Sequence, residues 1–127
     1  YIHPPPGHSL YRTKTPGLRD AGLSEEQLSQ RVEKVADTPA SDGMIAGRDG
    51  TIYLTAFEHN AIARWNTKTG AMETVIQDDR LQCPDSFSWA PDGSLYVTTS
   101  QIHRMRKYNQ GESRFRDPFR VYRVQLE

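Results

Sequence analysis

The strongest constraint on this chain is a pattern that returns after 43 residues. Asp42-Gly43-Met44-Ile45 opens a short strand. Asp49-Gly50 makes a turn, and Thr51-Ile52-Tyr53-Leu54-Thr55 follows as a β-branched and aromatic run. The same order then restarts: Asp85-Ser86-Phe87-Ser88-Trp89, the turn Pro91-Asp92-Gly93, and Ser94-Leu95-Tyr96-Val97-Thr98. Asp42 maps to Asp85, Gly50 to Gly93 and Tyr53 to Tyr96, all at one offset. Between the two copies, Ala61 to Trp65 alternates with period two, Asn66 to Gly70 is a turn, and Met72 to Gln77 supplies a fourth strand.

Four short strands per unit at this interval is the blade period of a β-propeller. A two-sheet sandwich of eight strands would not explain why an aspartate, a turn glycine and a tyrosine return together. The fold class expected is therefore all-β: a partial propeller of about two complete four-stranded blades and part of a third. The expected divisions are a partial blade over residues 1–40, a blade over 41–83, and a blade with a closing strand over 84–127. In the second copy, Ile102 is expected to stand where Ile62 stands in the first, and Phe119 to Leu126 to form the last strand. Two blades and part of a third cannot close a ring. The open edges need the rest of a propeller or a second copy.

Outside the repeat, Leu10-Tyr11-Arg12 is expected to form a short strand. Residues 24–34 carry the one helix signal: Ser24 as cap, Glu25 and Glu26 in the first turn, and Gln27 at capping-box spacing. Leu28, Val32 and Val35 extend it as an apolar stripe that would dock on the body of the protein.

Composition excludes several classes. Charged residues make up 25% of the chain and the net charge is zero, but seven basic and three acidic side chains crowd into residues 100–127. Acidic residues are interspersed there, so a solvated or assembly-facing surface is expected and nucleic acid is not. No run approaches the roughly 18 apolar residues of a membrane helix, and the residues shown include no leader, although Tyr1 need not be the natural start. A lone cysteine, Cys83, rules out a disulfide framework and is expected as a buried or inter-strand thiol.

Several linked segments resemble the major royal jelly protein and yellow protein family. They are Leu81-Gln82-Cys83-Pro84-Asp85-Ser86-Phe87-Ser88-Trp89, the run from Asp92 to Arg104, Asn60-Ala61-Ile62-Ala63-Arg64-Trp65, and Leu10-Tyr11-Arg12-Thr13 with Leu18-Arg19-Asp20. The resemblance implies a six-bladed propeller of which this is the C-terminal half or less, and a secreted or periplasmic location. It brings members linked to pigmentation, royal-jelly proteins, amine-binding relatives of blood feeders, and microbial homologues. One departure is Cys83, where the family commonly has tryptophan, which leaves local space. A more distant similarity, to calcium-dependent lactonase propellers, lies in the acidic starts of inner strands at Asp42 and Asp85.

A propeller gathers the starts of its inner strands at the mouth of the axial channel, so Asp42 and Asp85 are expected to approach one another. They are the candidate ligands for calcium, and equally for an amine or hydroxyl; they have the alternative structural use of accepting backbone N–H groups. Phe57, His59, Asn60 and Phe87 are further candidate ligand-binding residues at that mouth. No nucleophile–base–acid set, phosphate loop or zinc spacing occurs, so the residues do not decide whether the protein is an enzyme, and no catalytic residue is named. The leading expectation is a propeller that binds a small polar or aromatic molecule at its axis, or acts as a scaffold. The alternatives are a calcium-dependent lactone hydrolase or dopachrome-type isomerase, and a protein-interaction propeller working through its rim.

Overall fold

The computed structural model describes residues 1–126. They form three antiparallel sheets laid face to face. The first pairs β1 (Ser9–Arg12) with β2 (Glu33–Asp37); the second orders β3 (Ser41–Ala46), β4 (Ile52–Ala56), β5 (Ala61–Trp65) and β6 (Met72–Gln77) side by side; the third orders β7 (Pro84–Trp89), β8 (Leu95–Thr99) and β9 (Val121–Val124). No helix among the described residues is long and apolar enough to cross a membrane.

The sequence repeat is reproduced down to single hydrogen bonds. Met44, Ile45 and Ala46 pair with Leu54, Tyr53 and Ile52, as Phe87, Ser88 and Trp89 pair with Val97, Tyr96 and Leu95. A β-bulge falls at the same place in both hairpins, between Ser41 and Met44 and between Pro84 and Phe87. The freed backbone is held by a threonine hydroxyl: the Gly43 N–H donates to Thr55 Oγ1 at 2.8 Å and the Ser86 N–H to Thr98 Oγ1 at 3.0 Å. Each turn carries an aspartate that accepts the N–H two residues on, Thr51 to Asp49 at 3.0 Å and Ser94 to Asp92 at 2.9 Å. Gly50 and Gly93 both take positive φ, +87° and +84°, which the turns require.

Side chains alternate between two cores. Ile52, Leu54 and Trp65 of the middle sheet pack on Leu10 of the first, with Val35 and Ala36 of β2 alongside. Tyr53 and Ile62 point the other way, onto Leu95, Val97 and Val124 of the third sheet. At about 25 cal/mol per Å² of apolar surface, each of these large buried side chains contributes on the order of 1.5–3 kcal/mol.

Several expectations are corrected. The helix expected over 24–34 is α2, Glu25–Ser29 alone; its capping box forms as expected, the Gln27 N–H donating to Ser24 Oγ and Gln27 Oε1 accepting from the Ser24 N–H. Val35 lies in β2, at the bulge between the pairs Leu10–Ala36 and Tyr11–Lys34; the pairing of its neighbours with β1 and its own place against Leu10 outweigh its helical spacing. A second short helix, α1 (Thr15–Leu18), opens on Pro16, whose fixed φ suits a first helical turn. Ile102 is not the strand counterpart of Ile62: residues Ile102–Arg104 and Arg106–Tyr108 wind into 3-10 turns, and Val121 takes that place opposite Thr98. The last strand is accordingly shorter than Phe119 to Leu126. Among the described residues the three sheets hold two, four and three strands, so four strands stand together in the middle sheet alone.

Candidate functional site

β3 and β7 are the edge strands by which the second and third sheets meet, and their contact builds the site. Gly43 allows the approach, since a Cβ there would overlap the Asp85 carbonyl oxygen. At the far end, Trp89 Nε1 donates to the Ala46 carbonyl at 2.8 Å, joining two positions that are equivalent in the repeat. This pairing brings Asp42 near Asp85. Asp42 is exposed overall, but partial desolvation of its carboxyl, and secondly the charge of Asp85, push it above its ordinary range.

Neither aspartate does the backbone-accepting work that repeated aspartates often do. That task falls to Thr55 and Thr98, and to the Ser41 hydroxyl, which accepts from the Thr55 N–H at 3.1 Å. Asp85 Oδ1 accepts from the Ser86 hydroxyl at 3.1 Å, and the Asp42 carboxylate takes no hydrogen bond among the described residues. Asp42 is therefore an uncommitted acceptor.

It opens onto a cavity of 560 Å³. Phe57, on the 3-10 turn that follows β4 (Phe57–His59), forms one wall. Cys83 also lines it, and Ile102, His103 and Tyr108 come from the long loop between β8 and β9. The last wall is Pro5 and Pro6. They are held in place from both sides: His3 Nε2 meets Thr38 Oγ1 at 2.8 Å, and His8 Nε2 meets Glu58 Oε2 at 2.9 Å. The lining is mostly apolar and aromatic with a few polar groups, the usual character of a small-molecule site. His103 is held below its ordinary pKa by burial and then by Arg104, which favours the neutral ring.

Of the six candidate residues, the structure places Asp42 and Phe57 in the cavity wall and Asp85 beside Asp42. The other three lie elsewhere. His59 is exposed, and its carbonyl accepts from Gln77 Nε2 at 3.1 Å. Asn60 caps the turn in the left-handed conformation, φ 49°, and its carbonyl accepts the Asp78 N–H at 3.0 Å. Phe87 faces the middle sheet and packs on the core around Leu95 and Val97. Cys83, expected as a buried or inter-strand thiol, instead lines the cavity in a left-handed conformation, φ 55°, half-buried. His103 and Tyr108 had no spacing signal, because a loop outside the repeat delivers them.

The fit of calcium is a question of ligands. Asp42 and Asp85 supply two carboxylates against the six to eight oxygens that calcium takes. No cluster of three or more His, Cys, Asp or Glu side chains suited to a metal occurs among the described residues. These residues alone do not make a calcium site.

A family model completes the picture: that of the major royal jelly protein family matches residues 1–126. The chain belongs to this family. No curated protein gives a match of significance. Stacked antiparallel sheets built on a shared repeat are the architecture that a propeller-type member of the family calls for.

Proposed function

We propose that this protein is a small-molecule-binding propeller of the royal jelly and yellow type, with its ligand in the cavity where β3 and β7 meet. The observation that carries this reading is Asp42, a carboxylate without a hydrogen-bond partner among the described residues at the wall of a 560 Å³ cavity otherwise lined by Phe57, Tyr108, His103 and apolar groups. An aromatic face beside an acidic anchor suits a ligand with one ring and one polar or cationic group. The outer face of β7–β9, where Tyr96 and Val121 stay exposed, is where a further sheet would pack. We accordingly read the three sheets as successive blades of a six-bladed ring in a secreted or periplasmic protein.

Titration calorimetry of the full-length protein with a small aromatic amine tests the reading. Binding in the micromolar to millimolar range is expected, weakened by about tenfold or more in Asp42→Asn, a loss of roughly 1.4 kcal/mol. Absence of heat throughout that range, for the amine and for a neutral aromatic analogue alike, would sink it.

The lactone hydrolase reading draws on the same two aspartates. Its metal shell would need oxygens that the described residues do not bring, so no step through a metal follows from this chain.

A further inference from the structure

A second cavity, of 300 Å³, lies on the other side of the 3-10 turn Ile102–Arg104. Ile102 and His103 face the first cavity; Gln101 and Arg104 face this one, with Gln82, Arg80, Arg116 and Arg120. Gln101 is its organiser. It is only 5% exposed, sits in the left-handed conformation at φ 52°, and uses both the oxygen and the nitrogen of its side-chain amide. Its Oε1 accepts from Arg104 Nη1 at 2.7 Å and from the Arg116 N–H at 3.1 Å, while its Nε2 donates to the Arg116 carbonyl at 2.8 Å. Gln82 Oε1 accepts from Arg104 Nη2 at 2.9 Å.

Arg104 is thus fixed by two neutral amide oxygens. That fixes its orientation but leaves its charge unbalanced and three of its five N–H donors unused by these bonds. Among the described residues, no carboxylate is within ion-pair distance of Arg104, Arg116 or Arg120; the arginine pairs of the chain are Arg12–Glu33, Arg64–Glu73, Arg80–Asp78 and Arg123–Asp92. Arg80 brings its own counterion, so the surplus rests on the other three. Asp79 and Asp117 also line the cavity and offset part of this charge, yet neither forms an ion pair with a guanidinium among the described residues. Three guanidinium-bearing side chains lining one small polar space offer the chemistry that a tetrahedral oxyanion takes, since it accepts in pairs from guanidinium.

We propose that this cavity binds a tetrahedral oxyanion, phosphate or sulfate, either as the free ion or as the head of a small ester. Arg104 is the pre-oriented donor, and Arg116 and Arg120 close over the anion from the loop between β8 and β9. The site shares no residue with the cavity at Asp42, so the two stand or fall separately.

Titration calorimetry of the full-length protein with inorganic phosphate, inorganic sulfate and phenyl phosphate provides the test. Binding of at least one of them below about 1 mM is expected, and it should weaken roughly tenfold between low salt and about 0.3 M sodium chloride as the charges are screened. Arg116→Gln and Arg120→Gln, both on exposed side chains whose loss should not unfold the loop, should each reduce affinity about fivefold or more. Arg12→Gln, which removes a paired guanidinium from β1, should change nothing. Preference for phenyl phosphate identifies an ester as the ligand; preference for the inorganic ions identifies the free anion. No binding of any of the three below about 10 mM, or affinity unchanged in both loop variants, overturns the proposal.

Discussion

The middle and last sheets share a backbone plan but differ in what surrounds it. Their first two strands agree in register, bulge, turn aspartate and threonine brace. Yet every residue of β4 is buried, whereas β8 alternates, with Leu95 and Val97 buried and Tyr96 open. Among the described residues the middle sheet has a neighbour on each face and the last sheet has one. Tyr53 is 8% exposed and stacks edge-on against Trp89, ring centroids 5.3 Å apart; Tyr96, its repeat equivalent, is 38% exposed. Local sequence sets the hydrogen bonds of such a unit, and the adjoining sheet sets what each side chain contributes.

Four experiments bear on this difference. The largest effect is expected from truncating the tyrosines. Tyr53→Ala should cost about 3–5 kcal/mol in urea denaturation of this chain, and Tyr96→Ala roughly 1 kcal/mol or less. Equal losses would break the comparison; a large loss for Tyr96→Ala only in a longer form of the protein would identify a further sheet over β8. Next comes the inner strand. Gly43→Ala must separate β3 from the Asp85 carbonyl and should cost about 1–3 kcal/mol, while Ser86→Ala at the equivalent exposed position should fall within about 0.5 kcal/mol.

The two smaller effects depend on pH. The hydrogen bonds from the hydroxyl and N–H of Thr51 lower the Asp49 carboxyl, and those from the N–H and hydroxyl of Ser94 lower Asp92. A depressed carboxyl stabilises the fold above its ordinary value, and that contribution is lost as pH falls through the lower folded value. Asp49→Asn and Asp92→Asn should therefore both flatten the acid side of the stability curve, Asp92→Asn the more, because Arg123 of β9 also pairs with Asp92 and ties that turn to its sheet. Asp42 runs the opposite way. Its raised carboxyl binds its proton more tightly in the folded chain, so the fold is favoured below the ordinary value and loses that advantage as pH rises through the folded one. Asp42→Asn should give a small gain in thermal midpoint at pH 7 that vanishes near pH 3; a loss at pH 7 would show that the charge has a partner.

What could be read in the sequence was local or repeated. Period-two alternation gave Ala61 to Trp65 and Met72 to Gln77 their bounds, and turn chemistry placed Asp49-Gly50 and Asp92-Gly93. The repeat itself brought Asp42 and Asp85 together, because strand starts that recur must stack. Phe57 was found as the residue leaving β4, but His59 and Asn60 on the same turn point elsewhere. Phe87 was misplaced because strand spacing does not say which face meets a neighbour. The rest of the site lay outside any pattern: Cys83, His103 and Tyr108 reach the cavity through unusual backbone and 3-10 turns. The stripe Leu28, Val32, Val35 shows the same limit, since its spacing fits a helix while the partner strand that claims Val35 is more than twenty residues away.

The loop from Ser100 to Arg120 has a further consequence, in time rather than in space. β5 follows β4 after one short turn, so the middle sheet can grow as successive hairpins with little entropy lost at each closure. β9 can reach β8 only after that whole loop has closed, and its outer edge then carries no partner strand among the described residues. Contacts that span more chain form later and reopen sooner. The amides of β9 should be among the last strand amides to gain protection during refolding and the first to exchange in the native state, and the arginine cavity that the loop creates exists only for as long as that strand stays docked.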